Sequence, residues 1–334
     1  MSARDVLNQI KGKFDGTILR MDVPEDNRLF LYIRKDKIRD LVRYVFRDLD
    51  ARYVISIGMD DRPHSGTFLV AHNFAFDKDH VLLSLLVNLP AEYPKIDTIS
   101  DIVPGANWAE REMRDLVGIE AVGCPNMKRL VLPDGWPENC HPLRKDVPWN
   151  FVPPEYDENK EYPFDEAPKG CVAVPFGPFH PTLDEPEHFR LFVEGEIVRG
   201  CEYRGFMVHR GIEKLADSVL TYNEIPMLAE RICGICGCVH SVVYAQAVEQ
   251  AAAIKATERA EFIRTIMLEI ERLHSHLLWC GLASHILGFD TLFMQSFRIR
   301  EPLMWIAEKI TGNRKTYSLC LIGGVRWDIT PDLS

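Results

Sequence analysis

The sequence has no surplus of basic charge. Its 39 lysines and arginines stand against 49 aspartates and glutamates, giving a formal net charge of −10. That argues against nucleic acid as the main partner, because such a partner needs a basic face. No apolar run is long enough to cross a membrane. The longest, Val81 to Leu89, carries Ser84 and Asn88 and reads as a strand. No direct membrane span is expected, and any membrane association would come through partners. The opening residues Met1 to Asp5 lack the apolar segment of a secretory leader, and the nine cysteines are odd in number and mostly far apart. A reducing compartment is the expectation. Residues 1–146 hold neither a glycine-rich phosphate loop nor a nucleophile–base pair, so this region reads as non-catalytic. Finally, there is one Cys-x-x-Cys and no second. A four-ligand structural zinc site built from two such knuckles therefore lacks its other half.

What is present is an ordinary globular composition, 46% hydrophobic and 26% charged over 334 residues, enough for two domains. Residues 1–15 have helical spacing and Arg28–Ile33 reads as a strand. Lys35–Leu49 carries an amphipathic stripe of Ile38, Leu41, Val42, Val45, Phe46 and Leu49. Strand-like runs follow at Tyr53–Gly58, Thr67–Asn73 and His80–Leu89. A helix is expected over Trp108–Val117, with Asn107 as its N-cap. Its charged run Glu110-Arg111-Glu112 reads as a solvated face. Helices are too few to alternate with every strand, which predicts a mixed rather than a doubly wound sheet. Residues 147–169 are acidic and proline-rich and read as a linker.

A second domain is expected from Gly170. It opens with strands at Cys171–Phe176 and His188–Val198. The pattern then turns helical at Ile212–Leu220, Tyr222–Arg231, Cys236–Ala253, Thr257–Leu282 and Thr291–Thr311. The fourth helix places Ile263, Ile266, Met267, Ile270, Leu273 and Leu277 on one face, uninterrupted by Gly or Pro until Gly281. His274 and His276 diverge on that helix and read as packing or hydrogen-bonding residues. Glu269, Glu271 and Arg272 could pair within it or across to a neighbour. The fold class is α+β. A small mixed α/β domain spans 1–146, a linker spans 147–169, and a small sheet with a mainly helical bundle spans 170–334.

The densest chemistry lies in Arg231-Ile-Cys-Gly-Ile-Cys-Gly-Cys-Val-His240. Cys233 and Cys236 are three apart and face the same way on a helix or at its start, and His240, four beyond Cys236, falls on that face. Cys238 points elsewhere. Thiolates at this spacing suit a soft or borderline metal. Arg231 adds positive charge that would favour the thiolate forms. The alternatives are a structural zinc half-site and a thioredoxin-like redox pair, although the latter normally follows a strand and these flanks read as helix. His180, Asp184 and Glu185, in the segment joining the second domain's strands, could relay protons beside such a site or be a loop of solvated acids.

The motif Arg231-x-Cys-Gly-x-Cys-x-x-x-His240 resembles the N-terminal metal-binding motif of NiFe hydrogenase large subunits. Gly177-Pro-Phe-His-Pro181, His209-Arg-Gly-Ile-Glu-Lys-Leu215, Tyr222-Asn-Glu224, Arg272-Leu-His-Ser-His-Leu277, Gly288-Phe-Asp290 and Gly323-Gly-Val-Arg326 resemble the complex I D-type subunit and its hydrogenase relatives. Glu110-Arg-Glu-x-x-Asp-Leu-Val-Gly118 and Arg129-Leu-Val-Leu-Pro133 resemble the C-type subunit. A fused C-plus-D chain that keeps the cysteines is similar to the large subunits of formate hydrogenlyase, an energy-converting group 4 NiFe hydrogenase.

The resemblance implies that Cys236 is a bridging thiolate and Cys233 a terminal nickel ligand, in a Ni–Fe centre of four thiolates with CO and cyanide on iron. It makes His240 a neighbour that hydrogen-bonds a bridging sulfur, Glu185, or less so Asp184, the proton-transfer acid, and His180 the counterpart of a histidine near quinone in complex I. Implied partners are an iron–sulfur small subunit holding a 4Fe–4S cluster, further iron–sulfur subunits and membrane subunits on the cytoplasmic face. The family's second Cys-x-x-Cys is absent before Ser334. The expectation is that this chain is an N-terminal portion, or that another polypeptide supplies the rest. The alternative is a metal-free complex I-like scaffold of an NADH/quinone oxidoreductase arm, docking an iron–sulfur subunit.

Overall fold

A run of apolar residues bounded by turn formers makes Val81–Pro90 the centre of the first sheet. In the computed structural model, which describes residues 2–180, 183 and 185–330, Leu83, Leu85, Val87 and Leu89 of this strand are fully buried. Both of its faces are largely covered, as a near-continuous apolar run requires. In chain order the first region has α1 (Ala3–Phe14), β1 (Ile18–Glu25), β2 (Arg28–Ile33), α2 (Ile38–Arg43), β3 (Arg52–Asp61), α3 (Arg62–Ser65), β4 (Thr67–Phe76), β5 (Val81–Pro90), β6 (Lys95–Asp97), α4 (Ala106–Val117) and β7 (Glu120–Val122). The five-stranded sheet runs β1-β2-β5-β4-β3. Only β2 and β5 are parallel and the other neighbours are antiparallel, so the sheet is mixed as the sequence predicts. β6 and β7 form a separate parallel pair. Next come β8 (Val172–Phe176), β9 (His188–Glu194) and β10 (Ile197–Arg204), a second, antiparallel sheet.

Compactness divides the chain into Met1–His209 and Arg210–Ser334. The three-stranded sheet therefore belongs to the first unit. Within that unit the Trp108 and Tyr203 rings stack at 5.2 Å and 7°. Residues 147–169 hold no helix or strand, yet they are anchored to this unit. Asp157 donates its amide to Gly135 O. Lys128 pairs with Asp165 and Glu202 at 2.7 and 2.8 Å, and its ammonium also lies over the Tyr162 ring.

Several expectations shift. The strand β1 gives no clear sequence signal, because most of its residues are exposed at the sheet edge. The expected helix over Lys35–Leu49 is α2 flanked by a 3-10 turn and a π turn. The strand expected over His188–Val198 is a hairpin that turns at Gly195, whose φ of 61° suits glycine. Asn107 does not cap α4, which starts two residues earlier than expected, after Gly105; the Asn107 side-chain amide donates instead to Cys124 Sγ and Asn126 O.

The charged run on α4 is not a solvated face. Glu110, Arg111 and Asp115 are buried. Glu110 accepts from Thr98 Oγ1, Ile99 N and Ser100 Oγ. Asp115 accepts from the amides of Leu130, Val131 and Leu132, and Arg111 donates to the carbonyls of Lys128 and Arg129. The helix thus satisfies the backbone of an irregular loop that no ladder serves, as buried peptide groups demand.

His72 on β4 is almost fully buried, with Nδ1 2.7 Å from Ser56 Oγ and Nε2 unpartnered. Burial pushes its imidazole down to about 4 from 6.5. The unfolded chain takes up this proton below pH 6.5 and the folded one only near 4, so stability is full above 6.5, falls as pH drops from 6.5 to about 4 and levels off below it. The loss is about 3 kcal/mol. We expect His72→Gln to flatten the pH 7 to pH 4 difference in urea-unfolding stability by roughly this amount. An unchanged slope would show that His72 is not the group responsible.

The second unit has α5 (Ile212–Ser218), α6 (Ile225–Ala229), α7 (Gly237–Ala252), α8 (Glu258–Ile286) and α9 (Asp290–Thr311), followed by the short hairpin β11 (Cys320–Leu321) and β12 (Gly324–Val325). The helix expected over Tyr222–Arg231 contracts to α6. The helix α8 runs past Gly281, which lets α9 approach: a Cβ there would fall 2.9 Å from Phe297 Cε2. The buried stripe of α8 is Ala260, Ile263, Arg264, Met267, Ile270, Glu271 and His274. Ile266 and Leu273, expected on it, are exposed. Two charged residues occupy the stripe because each has a partner inside. Arg264 pairs with Glu249 of α7 at 2.6 Å and donates to Leu321 O and Gly324 O. His274 is buried and receives the Arg300 guanidinium of α9 on its carbonyl, at 3.0 Å, the packing and hydrogen-bonding role its spacing predicts.

Candidate metal centre

A glycine-flanked Cys-x-x-Cys cannot continue a helix smoothly, and here it forms the entrance to one. Cys236 is the N-cap residue of α7, with φ −114° and ψ 37°. Cys233 lies in the turn between α6 and α7, three residues before it. The backbone folds around the Cys233 sulfur, which accepts from Ile235 N at 3.4 Å and Cys236 N at 3.3 Å. His240, one helical turn on, brings Nε2 to 3.6 Å from Cys236 Sγ. All three side chains are half-buried or partly exposed, whereas Cys238 is buried in the apolar core of the unit. The structure thus brings Cys233, Cys236 and His240 together and turns Cys238 away. The element before the pair is a helix, unlike the strand that precedes a thioredoxin-type pair.

The electrostatics differ from the simple expectation for Arg231. That guanidinium is engaged by Glu230 at 2.9 Å, by Met227 O and by the face of Tyr317 at 4.6 Å. A helix N-terminus lowers a nearby thiol, but here a carboxylate has taken the terminal amides. Glu271 of α8 accepts from Cys238 N at 2.8 Å and Val239 N at 3.1 Å, and Thr316 Oγ1 donates to it at 3.0 Å. Burial, together with the neighbouring Cys233 sulfur and Glu271, pushes the Cys236 thiol up to about 12. Burial also acts against the Cys233 thiolate, but the hydrogen bonds from Cys236 and the Ile235 amide outweigh it and hold that thiol below its ordinary value. Burial raises the Glu230 and Glu271 carboxyls as well.

Sequence reasoning gives Glu230 no role and makes Glu271 a residue that pairs within its helix or across to a neighbour. The readable signal is Glu271's place next to Ile270 and His274 on the buried stripe, since an acid there needs a buried partner. Glu185 lies exposed in the first unit, between β8 and β9. Asp184 is outside the described residues. His180 is half-buried, its ring 4.0 Å from that of Phe176.

A Ni–Fe centre takes thiolates, and the donor chemistry of the Cys233/Cys236 pair fits it: soft sulfur, two amides already aimed at one of the sulfurs, and an imidazole beside the other. The fit covers half of the ligand set. Among the described residues no group of three or more Cys, His, Asp or Glu side chains is placed to hold a metal by itself.

Comparison with known proteins points the same way. The model of the respiratory-chain NADH dehydrogenase 30 Kd subunit matches residues 31–151, that of nickel-dependent hydrogenase matches 210–283, and that of the respiratory-chain NADH dehydrogenase 49 Kd subunit matches 287–334. Hydrogenase-4 component G of Escherichia coli (strain K12) is 43% identical over 97% of this chain and 59% of its own length. Formate hydrogenlyase subunit 5 of the same strain is 42% identical over 96% of this chain and 57% of its own length. The fused C/D subunit of NADH-quinone oxidoreductase from Phocaeicola vulgatus is 34% identical over 72% of this chain and 49% of its own length. The chain therefore spans between about half and three-fifths of the length of these curated relatives. A 30-kDa-type region fused ahead of hydrogenase and 49-kDa-type regions, with the cysteine pair retained, places this chain in the family of group 4 hydrogenase large-subunit fusions.

Proposed function

We propose that this chain provides the first half of the metal ligands in a formate hydrogenlyase-type NiFe hydrogenase, interconverting protons and H2 with electrons exchanged through an iron–sulfur partner. The observation that carries the reading is the Cys233/Cys236 pair at the entrance of α7 with His240 Nε2 at 3.6 Å from Cys236 Sγ. When bound, a Ni–Fe centre with CO and cyanide on iron supplies the site where protons and electrons combine. Cys233 and Cys236 hold it as thiolates. His240 donates a hydrogen bond to the Cys236 sulfur and fixes its orientation. Glu185, or less so Asp184, holds and passes a proton at its carboxylate, the role implied by the resemblance to the hydrogenase family. The remaining thiolates come from residues beyond these 334 or from another polypeptide.

In this reading residues 1–146 and 170–334 are the C-type and D-type modules and 147–169 joins them. An iron–sulfur small subunit with a 4Fe–4S cluster docks on the second module, and membrane subunits hold the assembly at the cytoplasmic face. No helix among the described residues is long and apolar enough to cross a membrane.

The test is the metal content of the native complex containing this chain. We expect nickel near one per chain, together with iron. The match to a fused C/D chain of NADH-quinone oxidoreductase favours a second reading, a metal-free scaffold. Quinone reductase activity in a complex without nickel would establish that reading and end the first.

A further inference from the structure

Two residues near the end of the described chain adopt a backbone that L side chains avoid. Thr316 has φ 62° and Ser318 has φ 67°. For a β-branched threonine this left-handed conformation is an outlier, and such outliers persist only where the surroundings hold them. What holds them is a pair of buried carboxylates. Thr316 Oγ1 donates to Glu271 Oε1 at 3.0 Å. Ser318 N donates to both carboxylate oxygens of Glu230 at 2.8 Å.

Those carboxylates flank the cysteine pair from opposite ends. Glu230 immediately precedes Arg231 and pairs with it, on the side of Cys233. Glu271 receives the amides of Cys238 and Val239, on the side of Cys236. Between the two strained residues, Tyr317 lies against the turn itself. A Cβ at Gly237 would fall 2.5 Å from Tyr317 Cε1 and 2.7 Å from the Glu230 carbonyl oxygen, so only glycine permits this approach. The Arg231 guanidinium lies over the Tyr317 ring, 4.6 Å from its centroid.

We propose that residues 316–318 form a clamp that sets the relative positions of the Cys233 and Cys236 sulfurs, with Thr316 and Glu271 as positioning residues; this rests on the reading of the pair as a metal site. The hydrogen bonds inside the Cys-x-x-Cys turn run to the Cys233 sulfur from Ile235 N and Cys236 N. The two ends of the turn are fixed through Glu230 and Glu271, and both carboxylates are held by the same strained tripeptide. The strain at Thr316 and Ser318 is the cost of reaching both at once.

The clamp is tested on the full 334-residue chain under anaerobic conditions. Thr316→Val keeps the β-branched shape and removes only the hydroxyl, whereas Thr316→Ser keeps the hydroxyl. Nickel(II) alone is titrated in and the thiolate-to-nickel charge-transfer band is followed. Alkylation of each cysteine by iodoacetamide is mapped in parallel by mass spectrometry. We expect Thr316→Val to weaken nickel binding about 10- to 100-fold, the range for residues that orient ligands, with Thr316→Ser close to wild type. Alkylation of Cys233 and Cys236 should rise in Thr316→Val while that of Cys140 and Cys201 stays constant. Glu271→Gln, which keeps the shape but weakens acceptance of three donors, should reproduce the effect and serves if Thr316→Val does not fold.

Wild-type nickel affinity in Thr316→Val and Glu271→Gln would overturn the clamp, as would equal losses in Thr316→Ser and Thr316→Val. If the wild-type chain itself shows no charge-transfer band, the two thiolates do not hold nickel without the rest of the ligand set, and the metal reading is decided by the nickel content of the native complex. The clamp is then decided by alkylation alone: it stands on a selective rise at Cys233 and Cys236 and falls without one.

Discussion

Cys233→Ala in the assembled, full-length complex should abolish hydrogen turnover and remove nickel along with it. The Cys233 sulfur is the thiol of the pair that the protein has prepared, with two backbone amides directed at it. A metal site needs its full ligand count, and among the described residues no group of three or more Cys, His, Asp or Glu side chains is placed to hold a metal without it. The measurement is the H2 evolution rate together with nickel per chain. Cys201→Ala provides the control, because Cys201 is exposed and lies outside the motif. Wild-type rates in Cys233→Ala would remove the hydrogenase reading altogether.

Arg264→Leu should destabilise the second unit by about 3–5 kcal/mol, the usual consequence of deleting one partner of a buried ion pair. Arg264 is 1% exposed. It holds the Glu249 carboxylate with two bonds of 3.0 and 2.6 Å and also serves Leu321 O and Gly324 O. Its loss leaves a buried carboxylate whose remaining donor is Gly323 N, and it frees the terminal hairpin from α7 and α8. The double variant Arg264→Leu/Glu249→Leu should recover much of the loss, because the cost lies in the orphaned charge rather than in the absent attraction. Urea unfolding of the three proteins checks this. A single variant within about 0.5 kcal/mol of wild type, the range of ordinary surface substitutions, would contradict it.

The regular elements were legible because the physics that forms them is local. Arg28–Ile33 coincides with β2, and Lys35–Leu49 and Trp108–Val117 fell on helical turns, because periodicity reports which side of a segment meets the core. The errors cluster where a residue's partner is distant. Glu110 reads as a solvated acid until the loop amide of residue 99 is in place beside it. Ile266 and Leu273 looked buried because α8 spends two positions of its inner stripe on Arg264 and Glu271. The hairpin at Gly195 reads as one strand because both arms are strand-forming and the turn is short.

The sequence by itself determined the α+β class, the mixed character of the first sheet and the presence of two thiols and an imidazole within reach of one another. Spacing of three and four along a chain entering a helix is enough for that. Only the tertiary structure decided what surrounds them. Glu271 reaches the motif from 33 residues away and Ser318 reaches Glu230 across 88. No periodicity encodes such pairings, because they depend on which helix faces pack together and on where buried carboxylates find donors. The same packing decided that the charge of Arg231 is spent on Glu230 and Tyr317 rather than on the thiols.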